Sequence, residues 1–111
     1  MPKDPAQENV DALDGTELKA FEGQDHDAHI AAHLTFMASG IAQSLPNVAI
    51  SLQKHIMEHI KLFAQEQAAA QFLQQSGGRE ATEEDMLHVE ALIATIAVSY
   101  THLTLPTILL V

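Results

Sequence analysis

The sequence predicts an all-α fold in which an antiparallel helical hairpin is followed by a third helix and preceded by a disordered acidic segment. Apolar residues recur at spacings of three and four through 45–75 without an internal glycine, which favours one amphipathic helix about 45 Å long. These residues are Ile50, Leu52, Ile56, Ile60, Phe63, Phe72 and Leu73. Ser44 as N-cap and Pro46 in the first turn predict its start, and Gly77-Gly78 its end. Such a long apolar stripe needs a partner helix to cover it.

Residues 1–24 differ from the rest in being acidic and poor in large apolar side chains. Their acidic residues are Asp4, Glu8, Asp11, Asp14, Glu17 and Glu22, set against Lys3 and Lys19. Charge without an apolar face is typical of segments that do not fold alone. We expect a disordered acidic leader, with at most a short helical turn over 15–21 capped by Thr16.

Two more helices complete the predicted helical fragment over 25–97. The first spans 25–38, with Asp25 as its N-cap and an apolar face of Ile30, Leu34 and Met37. Residues 40–45 form the turn of the hairpin, and 46–75 form its second helix. Thr82 precedes three acidic residues and an apolar run, and this pattern predicts a third helix over 83–97.

The C-terminal segment is apolar and needs a separate interpretation. Residues 91–111 match a membrane span in length, but His102, Pro106 and four threonines interrupt the run and no basic residue flanks it. The sequence VSYTHLTLPT at 98–107 resembles the translation of a transposase sequencing adapter. We therefore expect 98–111 to be a non-native tail, a gene interrupted near Ala97, and no contact with a membrane.

Composition excludes several classes of function. The chain has 111 residues and a formal charge of −10, so a surface that grips nucleic acid through clustered Lys and Arg is not expected. It contains no cysteine, which excludes disulfide scaffolds and thiolate metal sites. The N-terminus lacks the apolar core of a signal peptide, so a cytoplasmic origin is expected.

Five histidines fall on the two helices of the predicted hairpin: His26, His29, His33, His55 and His59. An antiparallel hairpin brings His29 opposite His55 and His26 opposite His59. Imidazoles one turn apart on facing helices can bind zinc, copper or nickel. Against such a site, the carboxylates expected of di-iron bundles are sparse, with only Asp25, Asp27 and Glu58 nearby.

The alternative interpretation is a set of polar contacts between helices or subunits. Its residues are His29, His33, His55, Glu58 and His59. Histidines at such positions are more often packing or hydrogen-bonding residues than ligands, so the contact interpretation is preferred, and no metal or cofactor is expected.

Residues 55–59 also spell H-x-x-E-H, the order found in inverzincin zinc proteases. In that chemistry His55 and His59 bind zinc, and Glu58 activates water. A third ligand from a later helix is required, and the glycine-containing approach of those enzymes is lacking. A protease fragment is therefore the third alternative, and we expect no catalytic residues.

One resemblance covers 24–71. An acidic helix reading D-H-x-x-H-I-x-x-H from Asp25 leads to a turn ending in Pro46 and a helix carrying H-I-x-E-H-I at 55–60, followed by Gln and Ala. This pattern is similar to the C-terminal helical portion of tailed-phage portal proteins, the head-to-tail connectors.

The resemblance implies a structural function rather than catalysis. The natural protein would be a much larger subunit of a ring, expected as a dodecamer, at the head-tail junction. It would act in capsid assembly and in DNA packaging and ejection. Its partners would be copies of itself and other phage head and tail proteins, with DNA passing through without sequence-specific binding. The implied locations are the virion and, during assembly, the cytoplasm of the infected bacterium.

Overall fold

A computed structural model describes the backbone of residues 2–109 and the side chains of residues 2–104. The described chain is all α-helical, without a strand, as the sequence predicts. Its helices are α1 (Pro5–Leu13), α2 (His26–Met37), α3 (Gly40–Gln43), α4 (Pro46–Ser76) and α5 (Glu83–Leu109). Helix α4 packs against each of the other four.

The prediction of a disordered leader is wrong, because α1 is an ordered helix. The Asp4 side chain accepts a hydrogen bond from the backbone N–H of Gln7, and Pro5 occupies the first turn, which together form a standard helix start. The expected turn over 15–21 is not helical.

Helix α1 is ordered because its residues find partners that are distant in sequence. Glu8 and Ala12 are each 3% exposed, and Glu8 contacts histidines from two other helices. Leu18, beyond α1, joins the same apolar core. An acidic composition predicts disorder because like charges repel. The burial of Glu8 among imidazoles overrides this repulsion.

Helix α2 begins after Asp25, whose side chain accepts a hydrogen bond from the N–H of Ala28. It ends at Met37, one residue before the predicted limit of 38. The predicted turn contains the short helix α3, capped by Ser39.

Helix α4 starts at Pro46, with Leu45 rather than Ser44 at the N-cap position. Ser44 is unable to cap it because α3 ends there and the Ser44 hydroxyl donates to the carbonyl of Ile41. The helix ends at Ser76, since Gly77 adopts a left-handed φ of 66°, a conformation that glycine tolerates best.

Helix α5 extends beyond the predicted limit of 97. Thr82 and Asp85 bond reciprocally at its start, each side chain accepting from the other residue's backbone N–H. The helix continues through Leu109, so much of the predicted tail is helical, while residues 110 and 111 lie outside the described residues. Its segment Glu83–Thr104 is long and apolar enough to cross a membrane by length and composition alone.

The apolar core lies where α2 meets the first half of α4. Its largest fully buried aliphatic side chains are Ile30, Met37, Leu52, Ile56 and Ile60. The two helices run antiparallel, since His26 near the start of α2 contacts His59 and His33 near its end contacts His55. This arrangement places histidines of both helices next to the core.

Candidate metal centre

Five buried side chains from three helices converge beside the apolar core. Glu8 comes from α1, His29 and His33 from α2, and His55 and His59 from α4. One ligand atom from each lies within 4.8 Å of all the others. None of the five residues is more than 6% exposed. We call these five residues the glutamate–histidine cluster.

Helical periodicity explains why the histidines converge. His29 and His33 are four residues apart, as are His55 and His59, so each pair lies on one face of its helix. The register differs from the predicted one: His33, not His29, has its ring packed against His55, with ring centroids 4.9 Å apart. His29 packs instead against His59, at 4.8 Å, while the expected pairing of His26 with His59 is present.

The spacing of the donor atoms matches the coordination sphere of a single ion. His33 Nε2 lies 3.2 Å from Glu8 Oε1, and His55 Nε2 lies 3.3 Å from Glu8 Oε2. The Nε2 atoms of His55 and His59 are 3.2 Å apart. Metal–nitrogen bonds of about 2.0–2.1 Å in a tetrahedral site place neighbouring ligand atoms about 3.3 Å apart. The cluster is therefore close to ligand geometry.

Hydrogen bonds outside the cluster determine which nitrogens point inward with a free lone pair. His33 Nδ1 lies 2.8 Å from Asn9 Oδ1, and because this oxygen is an acceptor, the ring proton sits on Nδ1. The Nε2 lone pair of His33 then faces the carboxylate of Glu8.

A second chain of hydrogen bonds determines which ring nitrogen of His59 carries the proton. Glu66 Oε2 lies 3.0 Å from His26 Nε2, and His26 Nδ1 lies 2.7 Å from His59 Nδ1. In neutral rings, Glu66 accepts the proton of His26 Nε2, and His26 Nδ1 accepts that of His59 Nδ1. The Nε2 lone pair of His59 is thereby directed into the cluster. Metal-binding histidines are commonly held by such outer contacts.

Electrostatics favour neutral imidazoles at His33 and His59. Burial and, after it, proximity to His55 lower the pKa of His33 to about 4, although Glu8 opposes this change. Burial also lowers the pKa of His59 to about 3, aided by His55 and then His29. Neutral imidazole is the form that binds metal, so these residues remain competent ligands well below neutral pH.

The outer nitrogen of His55 is buried and not satisfied. Among the described side chains, its Nδ1 is the buried polar atom that makes no hydrogen bond. Glu58 Oε1 lies 3.4 Å away, but not in hydrogen-bonding geometry. Unpaired buried polar atoms are costly and uncommon.

The remaining candidates from the sequence lie around the cluster. His26 packs edge-on against His59 and forms its outer hydrogen bond. Glu58 stands on the outer side of His55, away from the atoms that converge. Asp25 caps α2, and Asp27 accepts a hydrogen bond from the Tyr100 hydroxyl.

Sequence reasoning missed three participants: Glu8, Asn9 and Glu66. For Glu8 and Asn9, the Asp4-Pro5 pair was an available signal, since an N-cap followed by proline marks a helix start. That helix would have placed both residues on an ordered element. Glu66 carried no comparable local signal, because its partners His26 and Gly23 are distant in sequence.

Comparisons of this chain with protein-family models, with curated proteins and with solved structures gave no match.

Proposed function

We propose that this chain is a helical module that binds one divalent transition-metal ion through the glutamate–histidine cluster. The observation that carries the proposal is the convergence of lone pairs. The Nε2 atoms of His33 and His59 and the carboxylate of Glu8 all present acceptors to the same point. His33 Nε2 faces Glu8 Oε1 at 3.2 Å, and His29 Nδ1 approaches the same oxygen at 2.8 Å. A cation among these groups would convert the close contacts between acceptors into ligand bonds.

The donor set selects the class of ion. Imidazole nitrogens with one carboxylate suit zinc, iron, copper and nickel, whereas calcium and magnesium favour sets built from oxygen. All five donor atoms lie within 4.8 Å of one another, which is a suitable size for one ion rather than two. We take Zn²⁺ as the test ion because it binds imidazole without redox chemistry.

The role of the ion is structural. The cluster is buried, since His33 and His59 are each 0% exposed. The donors come from α1, α2 and α4, so one ion joins three helices, and its binding free energy contributes to folding. Helix α1 has only nine residues and gains most from this link.

Calorimetric titration of the metal-free full chain with Zn²⁺ tests the proposal. We expect one ion per chain, and loss of that binding in a His55→Ala/His59→Ala double variant. His88→Ala is the matched control, since His88 is an exposed histidine on α5, and it should bind as the parent does. The double variant could lose binding simply by unfolding. A Glu8→Gln variant keeps the side-chain shape, so weaker Zn²⁺ binding in it would reflect the loss of a ligand. A parent chain without stoichiometric binding would contradict the proposal.

A second proposal concerns the larger protein, and the resemblance to portal proteins supports it. The similar segment, 24–71, includes His29, His33, His55 and His59. A metal that fixes a helical hairpin suits a subunit that must hold its shape within a ring, so the two proposals are compatible. Electron microscopy of the uninterrupted gene product tests this: rings are expected, and a monodisperse monomer would argue against a portal subunit.

The zinc-protease alternative is less well supported by the geometry. Glu58 lies beside His55 Nδ1, whereas the Nε2 atom of His55 faces the cluster. A general base would have to reach water on the metal, on the other side of this ring. Peptide hydrolysis that disappears in Glu58→Gln would restore this alternative.

A further inference from the structure

The unsatisfied nitrogen of His55 shows what must change when the cluster binds metal. His55 Nε2 lies between two acceptors: the lone pair of His59 Nε2 at 3.2 Å and Glu8 Oε2 at 3.3 Å. A ring proton on Nε2 satisfies the contact with His59, which is the one of the two in hydrogen-bonding geometry, and Nδ1 is then left as a bare acceptor without a donor. These contacts favour a ring proton on Nε2, which is the atom that a metal in the cluster would need.

We propose that metal binding moves the ring proton of His55 from Nε2 to Nδ1, and that Glu58 is the positioning residue that accepts a hydrogen bond from the new Nδ1–H. This inference rests on the proposed metal site. One proton leaves Nε2 and one binds Nδ1, so the imidazole stays neutral and Nε2 becomes free to bind the ion. The Nδ1–H of each of three rings then has an acceptor: Asn9 for His33, His26 for His59, and Glu58 for His55.

Glu58 is suitably placed and free to make this contact. Its side chain is 44% exposed, so rotation meets little packing resistance. It lies one helical turn from His55, and its Oε1 needs to approach only from 3.4 Å to about 2.8 Å, the length of a charge-assisted hydrogen bond. A carboxylate on the outer nitrogen raises the basicity of the inner one and orients the ring. The glutamate of the H-x-x-E-H motif thus acts on the metal through a histidine.

Proton positions on the imidazoles can be read directly from long-range ¹H–¹⁵N NMR correlations of the histidine-labelled full chain. We expect the His55 proton on Nε2 in the metal-free protein and on Nδ1 with Zn²⁺ bound. His33 and His59 should carry theirs on Nδ1 in both states. A His55 ring that keeps its proton on Nε2, or binds Zn²⁺ through Nδ1, would overturn the inference.

Zn²⁺ titrations of Glu58 variants provide the second readout. Loss of an outer-shell partner of a metal ligand typically weakens affinity about 10–100-fold, which is the effect expected for Glu58→Ala. Glu58→Gln retains a neutral acceptor and should recover part of the loss. Glu90→Ala, which removes an exposed carboxylate from α5, should leave affinity unchanged.

The possible outcomes separate the two claims. Stoichiometric Zn²⁺ binding with unchanged affinity in Glu58→Ala would contradict the role of Glu58 and leave the proposed site intact. Absence of stoichiometric binding in the parent chain would contradict both.

Discussion

The two halves of α4 are stabilised by different kinds of contact. Its first half, to about Ile60, carries the buried aliphatic core and two histidines of the glutamate–histidine cluster. Its second half packs against α5 through small and aromatic side chains, including the edge-to-face pair of Phe63 and Tyr100. Among side chains described through residue 104, no apolar residue of α5 is fully buried. The first half of α4 is thus held by directional polar contacts beside an aliphatic core. The second half is held by apolar contacts with α5.

This difference indicates where the chain should tolerate change. A buried polar group needs a specific partner at a specific distance, and losing that partner is costly. An exposed or half-buried apolar contact loses only part of its area when altered. Changes in the cluster should therefore affect both metal binding and folding, whereas changes near α5 should affect folding alone.

The largest effect is expected from Glu8→Gln. Structural zinc binding of about 10–16 kcal/mol is shared among about four ligands, so losing one should cost about 3 kcal/mol, or roughly 100-fold in Zn²⁺ affinity. Competition titration with a chelator of known affinity measures this, and Glu84→Gln on α5 is the control. Parent-like affinity in Glu8→Gln would remove Glu8 from the ligand set.

The metal-free protein should lose stability as the pH falls below about 6.5. The folded-state pKa values of His33 and His59 lie near 4 and 3, below the value of about 6.5 in the unfolded chain. The unfolded state therefore takes up protons first. The free energy of unfolding should therefore fall as the pH drops from about 6.5 towards these folded-state pKa values.

Urea denaturation with chelator present, at pH 7, 6 and 5, measures this dependence. A His59→Gln variant should show a shallower slope, because one of the two groups is removed. Stability that stays constant from pH 7 to 5 would show that these rings are not buried in the neutral form.

A smaller effect should follow from Ala68→Leu in the second half of α4. Ala68 is 0% exposed, so a larger side chain overpacks the site and should cost about 1–3 kcal/mol. Ala69→Leu, at an exposed neighbour, is the matched control and should be nearly neutral. Zn²⁺ affinity should not change in either variant, and a large loss in Ala68→Leu would show that the two halves are coupled.

The smallest effect is expected from removing 98–111. This deletes Tyr100, its ring contact with Phe63 and its exposed hydrogen bond to Asp27. Such aromatic pairs contribute about 0.5–1.5 kcal/mol beyond buried area. Thermal unfolding should shift modestly, and Zn²⁺ affinity should stay within about twofold. Loss of metal binding would show that residues 98–111 support the metal site, and it would argue against the adapter origin of these residues.

The sequence predicted the parts of the fold that depend on local signals. Asp25, Pro46, Gly77 and Thr82 mark helix ends through neighbouring backbone groups, so the predicted starts of α2, α4 and α5 lie within one residue of the observed ones. The histidines that converge were likewise visible as pairs spaced by one helical turn.

The parts that were missed depend on contacts between distant residues. Helix α1 is stabilised by Glu8 meeting rings from α2 and α4, which acidic composition conceals. His33 rather than His29 pairs with His55, a register that belongs to the packing of α2 against α4. The Asp4-Pro5 pair marks the start of α1, but no local pattern encodes these contacts between helices, and the contacts determine which atoms form the cluster.

Native mass spectrometry of the metal-free chain after addition of Zn²⁺ tests the central claim most directly. A single-site cluster predicts one bound Zn²⁺ per chain in the parent and in His88→Ala, and none in His55→Ala/His59→Ala. A parent chain that carries no ion, or one that binds ions equally well without the cluster histidines, would contradict the account.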